Sequence, residues 1–171
     1  GASRHSVDLP ALVARVGPGL VDINPRLSDQ NGGVAGTGIV LSPSGEVLTN
    51  NHVISGGTSI EVTDVGNGKT YPATVVGYDR SHDIAVLALQ NASGLQTAAI
   101  GDSSLVVVGD ATAAIGNAGG RGGTPSIVAG TVLALAQTIT VTDDITGSAE
   151  QLAGMIRVAA DLQPGDSGGP L

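Results

Sequence analysis

The chain has 171 residues, 41% of them hydrophobic and 13% charged, a balance that buries a core and excludes a disordered chain. Its formal net charge is −8, which opposes binding to nucleic acid phosphates or anionic membranes. It has no cysteine, which excludes disulfides and thiolate metal sites, and no apolar run of about 18 residues to span a membrane.

Residues 1–10 are polar and are expected to be loose. Leu9, Leu12, Val13 and Val16 then recur with a helical period that Gly17-Pro18-Gly19 stops. Strands are predicted over Leu20–Ile23, Gly36–Leu41, Glu46–Thr49, Ser59–Val65, Thr70–Val76 and Ile84–Leu89, with Gly66-Asn67-Gly68 as a hairpin signal. Residues 91–101 read as a connection. The strand pattern restarts over Leu105–Val108, Ala111–Ile115, Ser126–Leu135, Gln137–Thr142 and Met155–Val158. Phe and Trp are absent, so β-branched and aliphatic side chains must fill the interior, while 27 Gly and 8 Pro supply turns. The expectation is an all-β chain in two halves, a first barrel over 11–92 and a second over 93–171.

Three segments carry chemistry. Gly165-Asp166-Ser167-Gly168-Gly169-Pro170-Leu171 sets a serine among glycines. A serine hydroxyl needs a base to take its proton and donors to hold the oxyanion that forms. The N–H groups of Gly165 and Ser167 are the candidate oxyanion hole. Thr49-Asn50-Asn51-His52 puts a histidine at a strand-to-loop junction, where it can serve as general base. His82-Asp83-Ile84-Ala85-Val86-Leu87 puts a carboxylate at the edge of an apolar strand, where it needs a hydrogen-bond partner such as an imidazole N–H. Asp83 follows His52 by 31 residues and Ser167 follows Asp83 by 84, in the chain order of the chymotrypsin type. The adjacent His82 is rejected as the base, because neighbouring side chains on a strand point opposite ways.

With these motifs the sequence resembles the trypsin-like serine proteases, and within them the bacterial HtrA-like group. Gly36-Thr37-Gly38-Ile39-Val40, Thr49-Asn50-Asn51-His52-Val53-Ile54 and His82-Asp83-Ile84-Ala85-Val86-Leu87 carry the likeness. The Ala- and Gly-rich, cysteine-free composition is most similar to secreted mycobacterial PepA-type proteins. The resemblance implies a chymotrypsin-like double β-barrel with the triad in the cleft between the barrels. It also implies a secreted or cell-envelope bacterial location, a protein or peptide substrate, and no metal or organic cofactor.

Three departures stand out. Asp166 occupies a position where HtrA-like proteins often have Asn; trypsins pair that aspartate with a new N-terminus, and no Ile-Val-Gly-Gly start is present. Asp161 lies six residues before Ser167, where trypsins place the carboxylate of a specificity pocket for Lys or Arg. The sequence stops at Leu171, so the strands that close the second barrel are expected on a complementing C-terminal polypeptide. A second reading follows, in which the chain is an inactive binding module or antigen until completed. Nucleotide binding by the glycines of 116–123 is set aside, because no Lys-Ser or Lys-Thr follows them.

Overall fold

The computed structural model describes residues 7–26, 35–142 and 147–171. It opens with α1 (Leu9–Val16), whose N-cap Asp8 accepts the Ala11 N–H at 3.1 Å, with Pro10 in the first turn and Arg15 in the last. The cap satisfies an amide that the helix itself leaves unpaired. The helix therefore takes Leu9 and Pro10 from the segment expected to be loose; residues 1–6 lie outside the described ones. A 3-10 turn, Gly17–Gly19, ends it.

Six strands follow: β1 (Leu20–Arg26), β2 (Gly36–Val40), β3 (Glu46–Thr49), β4 (Ser59–Asp64), β5 (Thr70–Asp79) and β6 (Ile84–Leu89), with the one-turn α2 (Asn51–Ile54) between β3 and β4. They close into a barrel in the order β1-β2-β3-β6-β5-β4, every neighbouring pair antiparallel. Strand alternation points Ile60, Val62 and Asp64 of β4, and Ala85, Leu87 and Leu89 of β6, into the interior. There the apolar ones meet Val21, Ile23, Val40 and Val47 in one cluster, of which Asp64 is not a part. Each such side chain contributes roughly 1.5–3 kcal/mol on burial. A register shift between Val75 and Gly77 bends β5 and carries it on to Asp79, past the predicted end.

The second region is a three-stranded antiparallel sheet of β7 (Ala111–Gly116), β8 (Ser126–Thr142) and β9 (Ala149–Ala159), with β8 in the centre. β8 is one strand where the sequence suggests two, because it passes Ala136, at φ 50°, through a series of register shifts instead of breaking. Leu105–Val108 is not a strand. It lies in a 3-10 turn, Ser103–Leu105, and the loop after it, where the Val107 N–H is donated to Asp110 Oδ2 at 3.0 Å rather than to a ladder. The architecture is thus chymotrypsin-like, with one closed barrel and a partial second one.

Candidate active site

His52 sits in the single turn α2, not in the expected loop. Val53 and Ile54, the next two residues, are buried in the barrel core and hold that turn down. The His52 side chain is left half exposed. Asp83 ends the turn that joins β5 to β6, in the left-handed conformation with φ 54°, a region that Asp tolerates better than most side chains. Its main-chain carbonyl accepts the Asn51 N–H at 3.1 Å and the Asn50 Nδ2 at 2.9 Å. Its carboxylate grips His52 twice, accepting the main-chain N–H on Oδ1 at 2.8 Å and lying 2.6 Å from Nδ1 through Oδ2. A proton held on Nδ1 leaves Nε2 as the basic nitrogen.

His82 takes no part in this pair. It lies 2.6 Å from Asp79 Oδ2, and the Ser81 hydroxyl and the His82 ring together hold the Asp79 carboxyl below the usual carboxylate range. The reason is not strand alternation, since residues 80–83 form a turn; it is the left-handed Asp83, which turns the chain between the two side chains.

The serine loop is fastened between the two regions. Thr37 of β2 donates its main-chain N–H to the Ser167 carbonyl at 2.8 Å and its hydroxyl to the Gly165 carbonyl at 2.8 Å. The same hydroxyl accepts the Asn117 N–H at 2.9 Å, and Ile115 of β7 donates its N–H to the Pro170 carbonyl at 3.2 Å. Gly165 and Gly168 have φ of 99° and 88°. A Cβ on the first would overlap the Asn117 carbonyl, and one on the second the Thr37 carbonyl and the Thr49 hydroxyl. Both positions therefore demand glycine twice over, for conformation and for space. Gly36 is crowded in the same way, between the Val53 side chain and the Ser167 carbonyl. β2 thus lies between the helix that carries His52 and the loop that carries Ser167.

Within the loop, Asp166 donates its N–H to the Gln163 carbonyl and Gly169 donates to the Asp166 carbonyl, each at 3.0 Å. The N–H groups of Gly165 and Ser167 have no acceptor among the described residues. Ser167 is exposed, and its hydroxyl makes no hydrogen bond to His52 among those residues. The structure therefore joins His52 to Asp83 directly and ties the Ser167 loop to β2 through its backbone. The Asp166 carboxylate is engaged locally, accepting the Gln163 N–H at 2.9 Å and the Ser126 hydroxyl at 3.4 Å. Asp161 is exposed and accepts from Gln163 Nε2 at 3.3 Å.

Thr37 and Asn117 were not singled out from the sequence. The readable signal for Thr37 is a threonine between two glycines on a strand, a place where another backbone can approach closely. Asn117 has no such signal, and its role exists only because a loop from the other region reaches Thr37.

A family model described as a trypsin-like peptidase domain matches residues 36–171. The serine protease PepD of Mycobacterium tuberculosis is 38% identical, covering 94% of this chain and 35% of that protein. The periplasmic serine endoprotease DegP of Escherichia coli is 36% identical, covering 80% of this chain and 27% of its own length. The chain thus spans about a third or less of the curated relatives it matches. Among solved structures, the active form of the Rv3671c protease of M. tuberculosis superposes with a TM-score of 0.78 at 30% identity, covering 94% of this chain and 70% of that one.

Proposed function

The chain belongs to the trypsin-like peptidase domain family, and from that premise we propose that it is the triad-bearing portion of an HtrA-like serine endopeptidase. The observation that carries this reading is the double grip of Asp83 on His52, at 2.8 and 2.6 Å, beside a serine loop fastened to the neighbouring strand. Ser167 Oγ attacks the scissile carbonyl and passes its proton to His52 Nε2. The carbonyl electrons move onto oxygen, which the Gly165 and Ser167 N–H groups receive. Collapse of that intermediate breaks the C–N bond, and His52 returns the proton to the leaving amine. Water then hydrolyses the acyl-enzyme by the same route. Asp83 keeps the imidazole in the tautomer that this sequence of transfers needs.

The substrate is a protein or peptide, and Asp161 is the candidate determinant of its residue at the cleaved bond. A preference for Lys or Arg that disappears in Asp161→Asn tests that role. The periplasmic location of DegP supports a cell-envelope or secreted setting for this chain. The narrower likeness to PepA-type proteins rests on composition. Strands that close the second sheet are proposed to come from polypeptide beyond these residues, since β7 and β9 are its two edges.

Labelling with a fluorophosphonate, read by intact mass, tests the reading. A single adduct on Ser167 is expected, with none in Ser167→Ala. Hydrolysis by that variant should drop by about three orders of magnitude or more, while its circular dichroism is unchanged. Labelling should also slow on acidification, as His52 takes up a proton and stops acting as base. An adduct on another residue, or an unchanged rate in Ser167→Ala, removes Ser167 as nucleophile. A folded chain that does not react at all favours the second reading, a binding module that needs completion.

A further inference from the structure

A cavity of about 450 Å³ lies away from the triad, where α1, the rim of the barrel and the glycine-rich loop after β7 meet. Asp22 of β1 and Asp64 of β4 both line it, and Val13, Pro18, Val65 and Pro125 give it apolar walls. Asp22 is only 6% exposed, yet its carboxylate has no hydrogen-bond or ion-pair partner among the described residues. Asp64 is 1% exposed; its Oδ2 accepts the Asn67 N–H at 3.2 Å, while its Oδ1 is buried and unpartnered. Burial pushes the Asp22 carboxyl up to about 6 and raises that of Asp64. A buried carboxylate without a partner costs folding energy and returns none within the chain. Such groups mark functional sites more often than structural ones.

The elements packed around the cavity carry Asp64 itself, Asp8 and Arg15 at the two ends of α1, Lys69 in the β4–β5 turn, Arg121 in the glycine-rich loop, and Arg26 of β1 and Glu61 of β4, which pair with each other at 3.1 Å. None of these cations pairs with either carboxylate among the described residues. Among those residues there is also no cluster of three His, Asp or Glu side chains able to hold a metal ion. Two carboxylates are far fewer than the six or more oxygens that a calcium ion takes. A bare ion would also leave the apolar walls without a function.

We propose that this cavity binds an organic monocation, a primary ammonium or guanidinium on an apolar stem. The Asp22 carboxylate takes the head group, with the charge of the buried Asp64 behind it, and the stem lies on Val13, Pro18, Val65 and Pro125. Charge-assisted hydrogen bonds to the head group supply the partner that Asp22 lacks. The cavity wall is also linked to the serine loop by a chain of hydrogen bonds. A Cβ on Gly122 would stand 3.5 Å from Asp22 Oδ2, and the Gly122 N–H is donated to Asn117 Oδ1 at 2.8 Å. Asn117 in turn donates its N–H to the Thr37 hydroxyl that holds Gly165. The inference stands apart from the peptidase reading, because it is tested by binding.

Calorimetric titration of the chain with n-pentylamine at about pH 7.5, against 1-pentanol as the uncharged match, tests it. Binding of the amine but not the alcohol is expected, weakened at least about tenfold in Asp22→Asn and again at about pH 4.5, where Asp22 is protonated. Asp64→Asn should weaken it less. An N-acetylated peptide with one internal lysine, titrated in parallel, separates the two sources of this chemistry: tighter binding of the amine names a free amine, and tighter binding of the peptide names a protein side chain. Equal binding of alcohol and amine, amine binding unchanged in Asp22→Asn, or no binding of either probe to the folded chain would each overturn the site.

Discussion

The closed barrel buries Val21, Ile23, Val40, Val47, Val62, Ala85 and Leu87 completely, whereas the three-stranded sheet buries Ala114, Ile115, Val132 and Leu152 and leaves Leu133 and Ile139 exposed. Both regions draw on the same few residue types. The difference is closure: each barrel strand has a neighbour on both sides and an enclosed face, while β7 and β9 have one neighbour each. The groups proposed to act in catalysis divide along the same line. His52 and Asp83 hang from the barrel, and Ser167 follows the sheet but is tied back to the barrel through Thr37. Stability thus resides in one region, while the site depends on the joint between the two.

The contrast breaks if core truncation costs the same in both regions. Leu87→Ala should lose about 2–5 kcal/mol in chemical denaturation, since a buried leucine leaves a cavity. At the rim of the barrel the sign reverses. The folded state holds the Asp22 proton up to about 6 while the unfolded state releases it near 3.8. The folded state therefore binds more protons between those values, and stability falls as pH rises through that window. At ~1.4 kcal/mol for each tenfold change in proton affinity, the ionised carboxylate costs on the order of 3 kcal/mol above it. Asp22→Asn should be more stable than the parent by about that amount near pH 7.5, with the gap closing near pH 4 in thermal melts.

The joint is sharpened by Thr37→Val, which keeps the shape and removes the hydroxyl. It leaves the Gly165 carbonyl and the Asn117 N–H without their partner, at roughly 1–3 kcal/mol. Fluorophosphonate labelling should slow in this variant, while Asp83, itself held by Asn50, still grips His52. Equal loss of stability with an unchanged labelling rate would make Thr37 a core residue and not a positioning one. The smallest effect is expected on the sheet, where Ile139→Ala should shift stability by within about 0.5 kcal/mol.

Much of this was legible beforehand because local chemistry governs it. Alternating apolar residues over 59–65 and 84–89 encode two barrel strands, since a period of two leaves only one face to bury. The glycines around Ser167 announce a tight turn, and Gly165 and Gly168 take the left-handed backbone that such a turn needs. Where local signals mislead, a neighbour distant in sequence is the cause. Val106–Val108 has the composition of a strand, but no ladder partner stands beside it, and the Asp110 carboxylate takes the Val107 N–H instead. Ala136 looks like a break between two strands, yet pairing with β9 on either side carries β8 through it.

The amino-acid sequence by itself determined the strand periods and the turn glycines, because each depends on residues within a few positions of one another. Only the tertiary structure decided that Thr37 would bind Gly165 across 128 residues of chain, that Asp83 would clasp His52 twice, and that Asp22 would line a cavity with no partner among the described residues. Barrel closure sets those distances, and no local propensity contains them.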